Sequence, residues 1–210
     1  MTTVASEMSG PIIAIDGPAG SGKSTLSQAL STRLGLARLD TGAMYRAVAL
    51  AALDRGIDPA DADAVATLAA SVDLGVGERV TVDGVDVTEA IRGPDVNRSV
   101  SVVAANPGVR RAMVARQRRW VASHADGVVV EGRDIGSVVL PSADVKVYLT
   151  ASDDERARRR PEEEAHELSR RDHLDRTRAV SPLGVADGAH VIDTTGRSVE
   201  DVAEEIAGWL

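Results

Sequence analysis

The stretch GPAGSGKSTL, residues 17–26, follows the apolar run PIIAID and fits the pattern G-x-x-x-x-G-K-[ST]. Glycines in this pattern let backbone N–H groups face a phosphate, and the helix that begins near Lys23 adds its positive end. Lys23 can reach the β- and γ-phosphates of a nucleotide, and the Ser24 hydroxyl can ligate Mg²⁺. A strand before the loop and a helix after it are the context that this motif requires. The predicted phosphate-binding residues are Gly17, Pro18, Ala19, Gly20, Ser21, Gly22, Lys23, Ser24 and Thr25.

The loop alone does not distinguish among the classes of protein that hold a nucleotide in this way. GTP-dependent switches carry an Asn-Lys-x-Asp motif, but neither of the two asparagines, Asn97 and Asn106, is followed by lysine. Motor and clamp-loader ATPases have an apolar strand that ends in Asp-Glu, whereas VVVEGRD, residues 128–134, ends in one acid followed by Gly-Arg-Asp. The sequence argues against both classes, and a cation between two carboxylates favours a second, anionic substrate.

Two segments, LDTGAMYR and VVVEGRD, place arginines where predicted strands end. Ligands bind at the carboxyl ends of the strands in an open parallel sheet. Arg46 and Arg133 could clamp a second phosphate there, because the guanidinium group offers a planar fork of donors. Thr41 and Tyr45 could add hydroxyl contacts. Arg46 taken alone also suits an ordinary surface position on a helix.

Two arginine-rich pieces, RARRR (156–160) and RRDHLDRTRAV (170–180), follow the predicted strand DVKVYLTA. Of the 24 basic residues 22 are arginines, which genome-wide codon bias explains, so composition gives these pieces no functional weight. A charge run is usually a solvated helix face. Because the two pieces flank a short hinge, they also suit a lid that closes over a triphosphate and excludes water.

Composition sets limits on the possible partners. The 210 residues suit one α/β domain, and a net charge of −8 with a sequence pI near 5.0 argues against a general nucleic-acid-binding surface. Without cysteine, neither a disulfide framework nor a cysteine-ligated metal site can form. No 18-residue apolar run and no leader pattern occur, so we expect a soluble, cytoplasmic monomer without a membrane partner. Residues 1–10 are predicted to be a flexible tail.

The patterning of apolar residues predicts a parallel sheet. Short strands are expected near residues 12, 37, 128, 145 and 190. Helices between them would cover both faces of a five-stranded parallel sheet, which is a three-layer α/β sandwich. Asp40, Thr41 and Gly42 are predicted to form a turn, and Ser198 to cap the last helix. Residues 72–106 break the pattern: polar and apolar residues alternate around Asp83-Gly84, which predicts a small antiparallel insertion.

The motifs, taken in order, resemble those of the bacterial cytidylate kinases, a family of nucleoside monophosphate kinases. They are IDGPAGSGKST, LDTGAMYR, DVTEAIR, NPGVR, EGRDIGSVVLP, YLTAS and RRDHLDRTRAVSPL, and the resemblance runs from near Pro11 to the C-terminus. It implies a single P-loop kinase domain over residues 11–210. Its expected parts are a core (11–60, 107–152, 179–210), a nucleoside-monophosphate-binding insertion (about 61–106) and a mobile lid (about 153–178).

The resemblance also implies an activity, the transfer of the γ-phosphoryl group of ATP to CMP or dCMP with Mg²⁺. The acceptor site that it implies comprises Thr41, Tyr45, Arg46, Ser101, Arg110, Arg133, Asp134, Arg171, Asp175 and Arg178. Among these, Ser101, Arg110 and Asp134 would read the cytosine edge. The lid residues Arg156, Arg158 and Arg159 would face the ATP phosphates. The implied catalytic residues are Lys23, Arg133, Asp134 and Arg159.

The sequence departs from the family pattern in the lid. The family carries a longer segment than PEEEAHEL between the two arginine-rich pieces, and Pro161 falls where it would interrupt a continuous helix. Either the lid is short or the printed chain omits a stretch.

Two other functions stay open at this point. One is a P-loop kinase for another acceptor: a different nucleoside monophosphate, shikimate or gluconate. The insertion that carries Ser101, together with Arg110, disfavours the shikimate type. The other is a regulator that senses ATP without turnover. Such a protein would have a decayed site, but the chain retains Lys23, Ser24, Arg46, Arg133 and Asp134.

Overall fold

Eight strands form two sheets in the protein, whose structure, a computed structural model, describes residues 9–161 and 165–210, without the side chains of residues 165–168. The strands are β1 (Ile12–Asp16), β2 (Ala37–Asp40), β3 (Leu74–Gly75), β4 (Thr81–Val82), β5 (Val85–Asp86), β6 (Val128–Gly132), β7 (Val145–Thr150) and β8 (His190–Asp193). The larger sheet has the order β2-β6-β1-β7-β8, and its neighbouring strands are all parallel. The smaller sheet, β3-β4-β5, is antiparallel. The predicted fold class is therefore confirmed.

Helices connect the strands. They are α1 (Lys23–Leu34), α2 (Thr41–Asp54), α3 (Ala62–Ser71), α4 (Pro94–Ala105), α5 (Pro107–Ala122), α6 (Asp153–Arg159), α7 (Ala165–Thr177) and α8 (Val199–Ala207). A 3₁₀ turn (Ala90–Arg92) precedes α4, and a π-helical turn (Ile135–Val139) follows β6. Within the described ranges, every helix is too short or too polar to cross a membrane.

The alternation of side chains along β1 explains why helices cover both faces of the large sheet. Ile13 and Ile15 point to one face, where they pack with α1 and α8. Ala14 points to the other face and packs with α2, α3, α4 and α5. Each fully buried aliphatic side chain in these two cores contributes about 2 kcal/mol of transfer free energy. The sheet is thus a rigid platform from which the ends of β1, β2 and β6 project polar residues.

The antiparallel insertion is confirmed in part and corrected in part. Asp83 and Gly84 both have positive φ, at 49° and 79°, as a two-residue hairpin turn between β4 and β5 requires. The antiparallel pattern ends at Asp86, however, and residues 94–105 are helical. The predicted insertion over 72–106 was wrong in its second half. Valines buried at helical spacing, Val96, Val100 and Val103, were the signal for this helix.

A second correction concerns the predicted turn at residues 40–42. Asp40 instead caps α2, because its Oδ1 accepts a hydrogen bond from the backbone N–H of Ala43 at 3.0 Å. Helix α2 therefore begins directly where β2 ends. The predicted cap at Ser198 is confirmed, since its hydroxyl accepts from the N–H of Asp201.

The predicted lid segment contains two helices, α6 and α7. Helix α6 ends at Arg159, and Pro161 follows it, consistent with the poor fit of proline in a helix interior. The rest of the hinge, residues 162–164, lies outside the described residues, as does most of the predicted N-terminal tail, residues 1–8.

A buried carboxylate ties the end of β1 to the turn after β6. Asp16 is 3% exposed, and its two oxygens accept hydrogen bonds from the backbone N–H groups of Ile135 and Gly136, both at 2.8 Å. Burial raises the pKa of Asp16 to about 6, because the charged form loses its hydration. This contact fixes the residues just before it, Arg133 and Asp134, relative to the phosphate loop.

The raised pKa makes a testable contribution to stability. Asp16 binds its proton more tightly in the folded state, so its contribution to the free energy of unfolding is full below about pH 4 and is lost as the pH rises through about 6. Asp16→Asn removes this titration and leaves an amide N–H₂ facing one of the two backbone N–H donors, while Oδ1 can still accept from the other. We expect the variant to be less stable at pH 4, and the gap to shrink by about 3 kcal/mol by pH 7. Urea unfolding across this range measures it.

The exposed Asp126→Asn is the matched control for the loss of a carboxylate. A gap between Asp16→Asn and wild type that stays constant from pH 4 to pH 7 would contradict the assigned titration.

Candidate active site

A cavity of about 510 Å³ opens at the carboxyl ends of β1, β2 and β6. Its volume is in the range of cofactor and substrate sites. The predicted site residues that line it are Ala19, Gly20, Gly22, Lys23, Ser24, Thr25, Thr41, Tyr45, Arg46, Ser101, Arg110, Arg133, Asp134, Arg159, Arg171, Asp175 and Arg178. The predicted residues absent from the lining are Gly17, Pro18, Ser21, Arg156 and Arg158.

The phosphate loop needs glycine at the positions where the backbone turns. Gly17 has φ of 150°, and a Cβ there would lie 2.4 Å from the carbonyl oxygen of Leu149. Lys23 Nζ donates to the carbonyl of Pro18 at 2.7 Å, so the lysine folds back over the loop. Burial lowers the pKa of Lys23 well below its ordinary value, and the positive charge of Arg133 lowers it further. An anion in the loop would relieve both costs.

Glu131, near the end of β6, accepts hydrogen bonds from the polar side chains at the start of α1. Its carboxylate accepts from the hydroxyls of Ser24 and Ser27, each at 2.8 Å, and from Arg38 Nη1 at 2.9 Å. Burial raises the pKa of Glu131, and the nearby Asp40 adds to the rise. The sequence assigned no role to Glu131, yet it holds the hydroxyl that the motif predicts as a Mg²⁺ ligand.

Arg133 joins α7 to the phosphate loop. Its Nε donates to Asp175 Oδ2 of α7 at 2.8 Å, and its Nη1 donates to the carbonyl of Gly17 at 2.9 Å. Burial raises the pKa of Asp175, but the charges of Arg133 and Arg178 outweigh burial, so the pKa lies below its ordinary value. Asp175 is therefore ionised at neutral pH and holds Arg133 in the lining of the cavity.

A buried group of three charges forms one wall of the cavity. Asp134 accepts from Arg110 Nη2 through Oδ2 and from Arg178 Nη2 through Oδ1, the latter at 3.5 Å. Arg110 also donates to the carbonyl of Ala104 at 3.2 Å, and its guanidinium carbon lies 5.3 Å from the centre of the Tyr45 ring. The three charged residues are each less than 10% exposed. A fixed set of donors and acceptors of this kind can read the polar edge of a planar ring.

Sequence reasoning missed two residues that line the same cavity as Arg46, one of which contacts Arg46 directly. Arg46 Nη1 donates to Asn97 Oδ1 and to the carbonyl of Ile91 at 3.2 Å. Asn97 and the exposed Arg92 also line the cavity. Both come from the segment that the sequence analysis assigned to an antiparallel insertion, and neither was among the site residues that the resemblance implied. Recognition of α4 would have brought Asn97 into the site.

Arg156 does not face the cavity as the sequence led us to expect. It is 6% exposed and pairs with the buried Asp172 of α7. Arg156 Nη1 donates to the carbonyl of Ala19 at 3.1 Å, while Asp172 Oδ1 accepts from the N–H of Ala19 at 3.1 Å. The ion pair thus bonds to both the carbonyl and the N–H of Ala19. We call Arg156, Asp172 and Ala19 the loop clamp.

The other two lid arginines differ in position. Arg158 is exposed and pairs with Glu155 on its own helix. Arg159 lines the cavity, donates to the hydroxyl and the carbonyl of Thr194, both at 2.9 Å, and approaches the carbonyl of Gly20 at 3.4 Å. Of the three arginines predicted to face the triphosphate, Arg159 is therefore the one that reaches this cavity in the described conformation.

Comparison with known proteins decides the family. The sequence model of the family described as Cytidylate kinase matches residues 13–209. The chain belongs to the cytidylate kinase family. A cytidylate kinase from Rhodococcus opacus is 49% identical over 208 residues, with 91% of this chain and 90% of the relative covered. One from Pelotomaculum thermopropionicum is 50% identical, with 93% and 94% covered.

Solved structures support the fold alone. Shikimate kinase from Acinetobacter baumannii matches with a TM-score of 0.50 and 15% identity, over 95% of this chain and 92% of that one. At this identity the likeness concerns the P-loop kinase architecture that the cytidylate kinase family shares. The identity of the acceptor has to come from the side chains of the cavity.

The loop clamp gives a prediction about substrate binding. Asp172→Asn weakens the pairing of a buried arginine and replaces an acceptor beside the N–H of Ala19. We expect the free energy of unfolding to fall by about 3 kcal/mol, as for a broken buried ion pair. Because the clamp touches the loop and not the opposite wall, KM for the nucleotide bound by the loop should rise more than KM for the acceptor. Steady-state kinetics with each substrate varied in turn measures this split.

Asp154→Asn makes the same charge change on the exposed face of α6 and is the matched control. Equal rises in the two KM values for Asp172→Asn would show that the clamp stabilises the whole fold and does not act specifically on the loop.

Proposed function

We propose that this member of the cytidylate kinase family transfers the γ-phosphoryl group of ATP to CMP or dCMP, giving ADP and CDP or dCDP. The observation that carries the proposal is the arrangement of the cavity. A phosphate loop with its buried lysine forms one side, and the buried Arg110–Asp134–Arg178 group forms the other. The two sides are joined by Arg133, which contacts the loop and the lid together.

The donor side would hold ATP. Backbone N–H groups of the loop and Lys23 suit the phosphates. Ser24, Asp40 and Glu131 line the same part of the cavity and offer the oxygen ligands that Mg²⁺ prefers. The ion would be held by these side chains together with the nucleotide phosphates. When bound, Mg²⁺ supplies neutralisation of phosphate charge.

The acceptor side would hold the monophosphate in three parts. Arg46, Arg92 and Arg133 suit its phosphate. Ser101, Arg110 and Asp134 suit the cytosine edge, because that edge combines an amine donor with two acceptors. Arg171 and Asp175 would meet the sugar hydroxyls, while Thr41, Tyr45 and Arg178 would add contacts to the phosphate. All of these residues line the one cavity.

Catalysis in this arrangement needs no general base, because the attacking phosphate oxygen is already anionic. The chain's contribution is to position both phosphates and to neutralise the charge that they bring together. Lys23 on the loop side, Arg133, which contacts both the loop and α7, and Arg159 of α6 all line the cavity. The charge of Asp175 raises the pKa of Arg133 despite the opposing effect of burial, so this guanidinium stays charged. Exclusion of water by α6 and α7 would suppress hydrolysis of ATP.

We also propose that the enzyme works as a cytoplasmic monomer without nucleic-acid or membrane partners. The net charge of −8 supports the part of this proposal that concerns nucleic acid, because it disfavours a polyanion as a partner.

An acceptor panel tests the proposed reaction. With ATP and Mg²⁺, we expect ADP release to be fast with CMP and dCMP and at least 100-fold slower, in kcat/KM, with AMP, GMP or shikimate. Discrimination of about this size follows when a buried polar wall is left unpaired by the wrong ligand. A coupled assay for ADP measures it. Rapid turnover of AMP or shikimate and none of CMP would overturn the proposal.

The variant Lys23→Ala tests whether the phosphate loop acts in turnover without being needed for the protein to fold. Burial lowers the pKa of Lys23, so its charge is costly in the empty protein, and the variant should keep the wild-type circular-dichroism spectrum. Turnover should fall by about 1,000-fold or more, because the phosphates lose a buried cation. Turnover close to wild type would mean that the loop does not hold the transferred phosphate.

A further inference from the structure

The hydroxyl of Thr194 joins three parts of the chain. Thr194 follows β8 directly and is 6% exposed. Its Oγ1 accepts a hydrogen bond from Arg159 Nη1 at 2.9 Å and lies 3.1 and 3.0 Å from the carbonyl oxygens of Ser21 and Thr150. Because a hydroxyl has one proton, it donates to one of these two carbonyls at a time. This single group therefore connects α6, the phosphate loop and the end of β7.

Both ends of α6 are bonded to the residues that follow β8. Just before the helix, the N–H of Ser152 donates to Thr195 Oγ1 at 2.9 Å. At the last residue of the helix, Arg159 donates twice to Thr194, from Nη1 to the hydroxyl and from Nη2 to the carbonyl, both at 2.9 Å. Two successive threonines thus determine where α6 lies and how the guanidinium group of Arg159 is oriented.

The guanidinium group of Arg159 lies against the phosphate loop. Its Nη1 is 3.4 Å from the carbonyl oxygen of Gly20, and a Cβ placed on Gly22 would lie 3.4 Å from the same nitrogen. Gly22 immediately precedes Lys23, the first residue of α1, where backbone N–H groups can face a phosphate. A cation at this place is close enough to neutralise charge on the phosphoryl group that is transferred.

Stabilisation of this kind depends on orientation as well as on charge. A donor that is already held in place needs no reorganisation when charge develops in the transition state. Arginine has a long, flexible side chain, so holding it in one orientation requires fixed partners. Nε of Arg159 donates to Glu155 Oε1 on its own helix at 2.8 Å, whereas Thr194 supplies the two bonds that fix the guanidinium group relative to the central sheet.

We propose that Thr194 is a positioning residue for phosphoryl transfer, whose hydroxyl holds Arg159 against the phosphate loop. Thr194 does not line the cavity, so it acts on the reaction through Arg159, which does. The inference rests on the proposed function, in which Arg159 neutralises phosphate charge. It gives the end of β8 a part in the reaction that neither the motifs nor the family resemblance assigned to it.

The variant Thr194→Val removes the hydroxyl and keeps the β-branched shape of the side chain. We expect kcat to fall about tenfold, because Arg159 loses one of its two bonds to Thr194 and with it part of its fixed orientation. KM for CMP should stay within about twofold of wild type, because Thr194 lies on the donor side. The melting temperature should fall by about 2 to 4 °C from the lost hydrogen bonds. Steady-state kinetics and differential scanning fluorimetry measure these changes.

Two further variants separate positioning from a purely structural role. Thr194→Ser keeps the hydroxyl and should return kcat to within about threefold of wild type. Arg159→Ala should lower kcat about 100-fold, because a charged donor at the phosphates is lost. If the hydroxyl acts through Arg159, adding Thr194→Val to Arg159→Ala should lower kcat no further.

Arg159→Lys tests the same contact without altering the buried threonine. Lysine keeps the positive charge but lacks the planar fork that bonds two atoms of Thr194 at once. We therefore expect kcat to fall about tenfold, as in Thr194→Val. This variant keeps the inference testable even if Thr194→Val fails to fold.

Thr67→Val is the matched control. Thr67 is exposed on α3, where its Oγ1 donates to the carbonyl of Asp63 at 2.9 Å. The variant makes the same chemical change at a residue that does not line the cavity, so kcat and both KM values should stay as in wild type.

Distinct outcomes overturn distinct claims. A wild-type kcat in Thr194→Val or in Arg159→Lys overturns the inference alone. So does a loss of kcat that Thr194→Ser does not restore, or one that adds in full to the loss from Arg159→Ala. A wild-type protein that transfers no phosphoryl group to CMP or dCMP overturns the proposed function, and the inference falls with it.

Discussion

The site depends on the pairing of buried arginines with carboxylates from another part of the chain. An isolated charge in the interior is too costly to keep, whereas a charge with a hydrogen-bonded partner is tolerated. Arg110 meets Asp134, Arg133 meets Asp175, and Arg156 meets a carboxylate of α7. Each pair joins two elements, so the same contacts that make burial possible also fix the walls of the cavity relative to each other.

These ion pairs do not remove every energetic cost of burying charged groups at the site. The remaining cost falls on a group that would contact a substrate. Burial and a neighbouring cation lower the pKa of Lys23, and an anion in the loop would reverse both effects. The empty site therefore lowers the free energy of unfolding of the protein, and the binding of two anionic substrates would offset that loss.

Local signals in the sequence predicted the elements but not all of their limits. The turn at Asp83-Gly84 follows from the two residues themselves, because both accept positive φ. The conformation of the phosphate loop likewise follows from its glycines. Helix α4 was missed because its valines also suit a strand, and only packing against α2 and α5 decides between the two. A run of arginines likewise does not show which of them turns inward, so the pairing of Arg156 with Asp172 could not be read from it.

By itself the sequence determined the phosphate loop, the parallel sheet and the resemblance to one kinase family, because these follow from short patterns and the order of motifs. Tertiary structure decided which charges meet. Asp134 and Arg110 are 24 residues apart, and Asp172 and Ala19 are 153 apart, so no local pattern could pair them. Whether an arginine binds a ligand or a carboxylate depends on what the fold brings within hydrogen-bond distance, and for Arg156 that is a loop residue and not the open cavity.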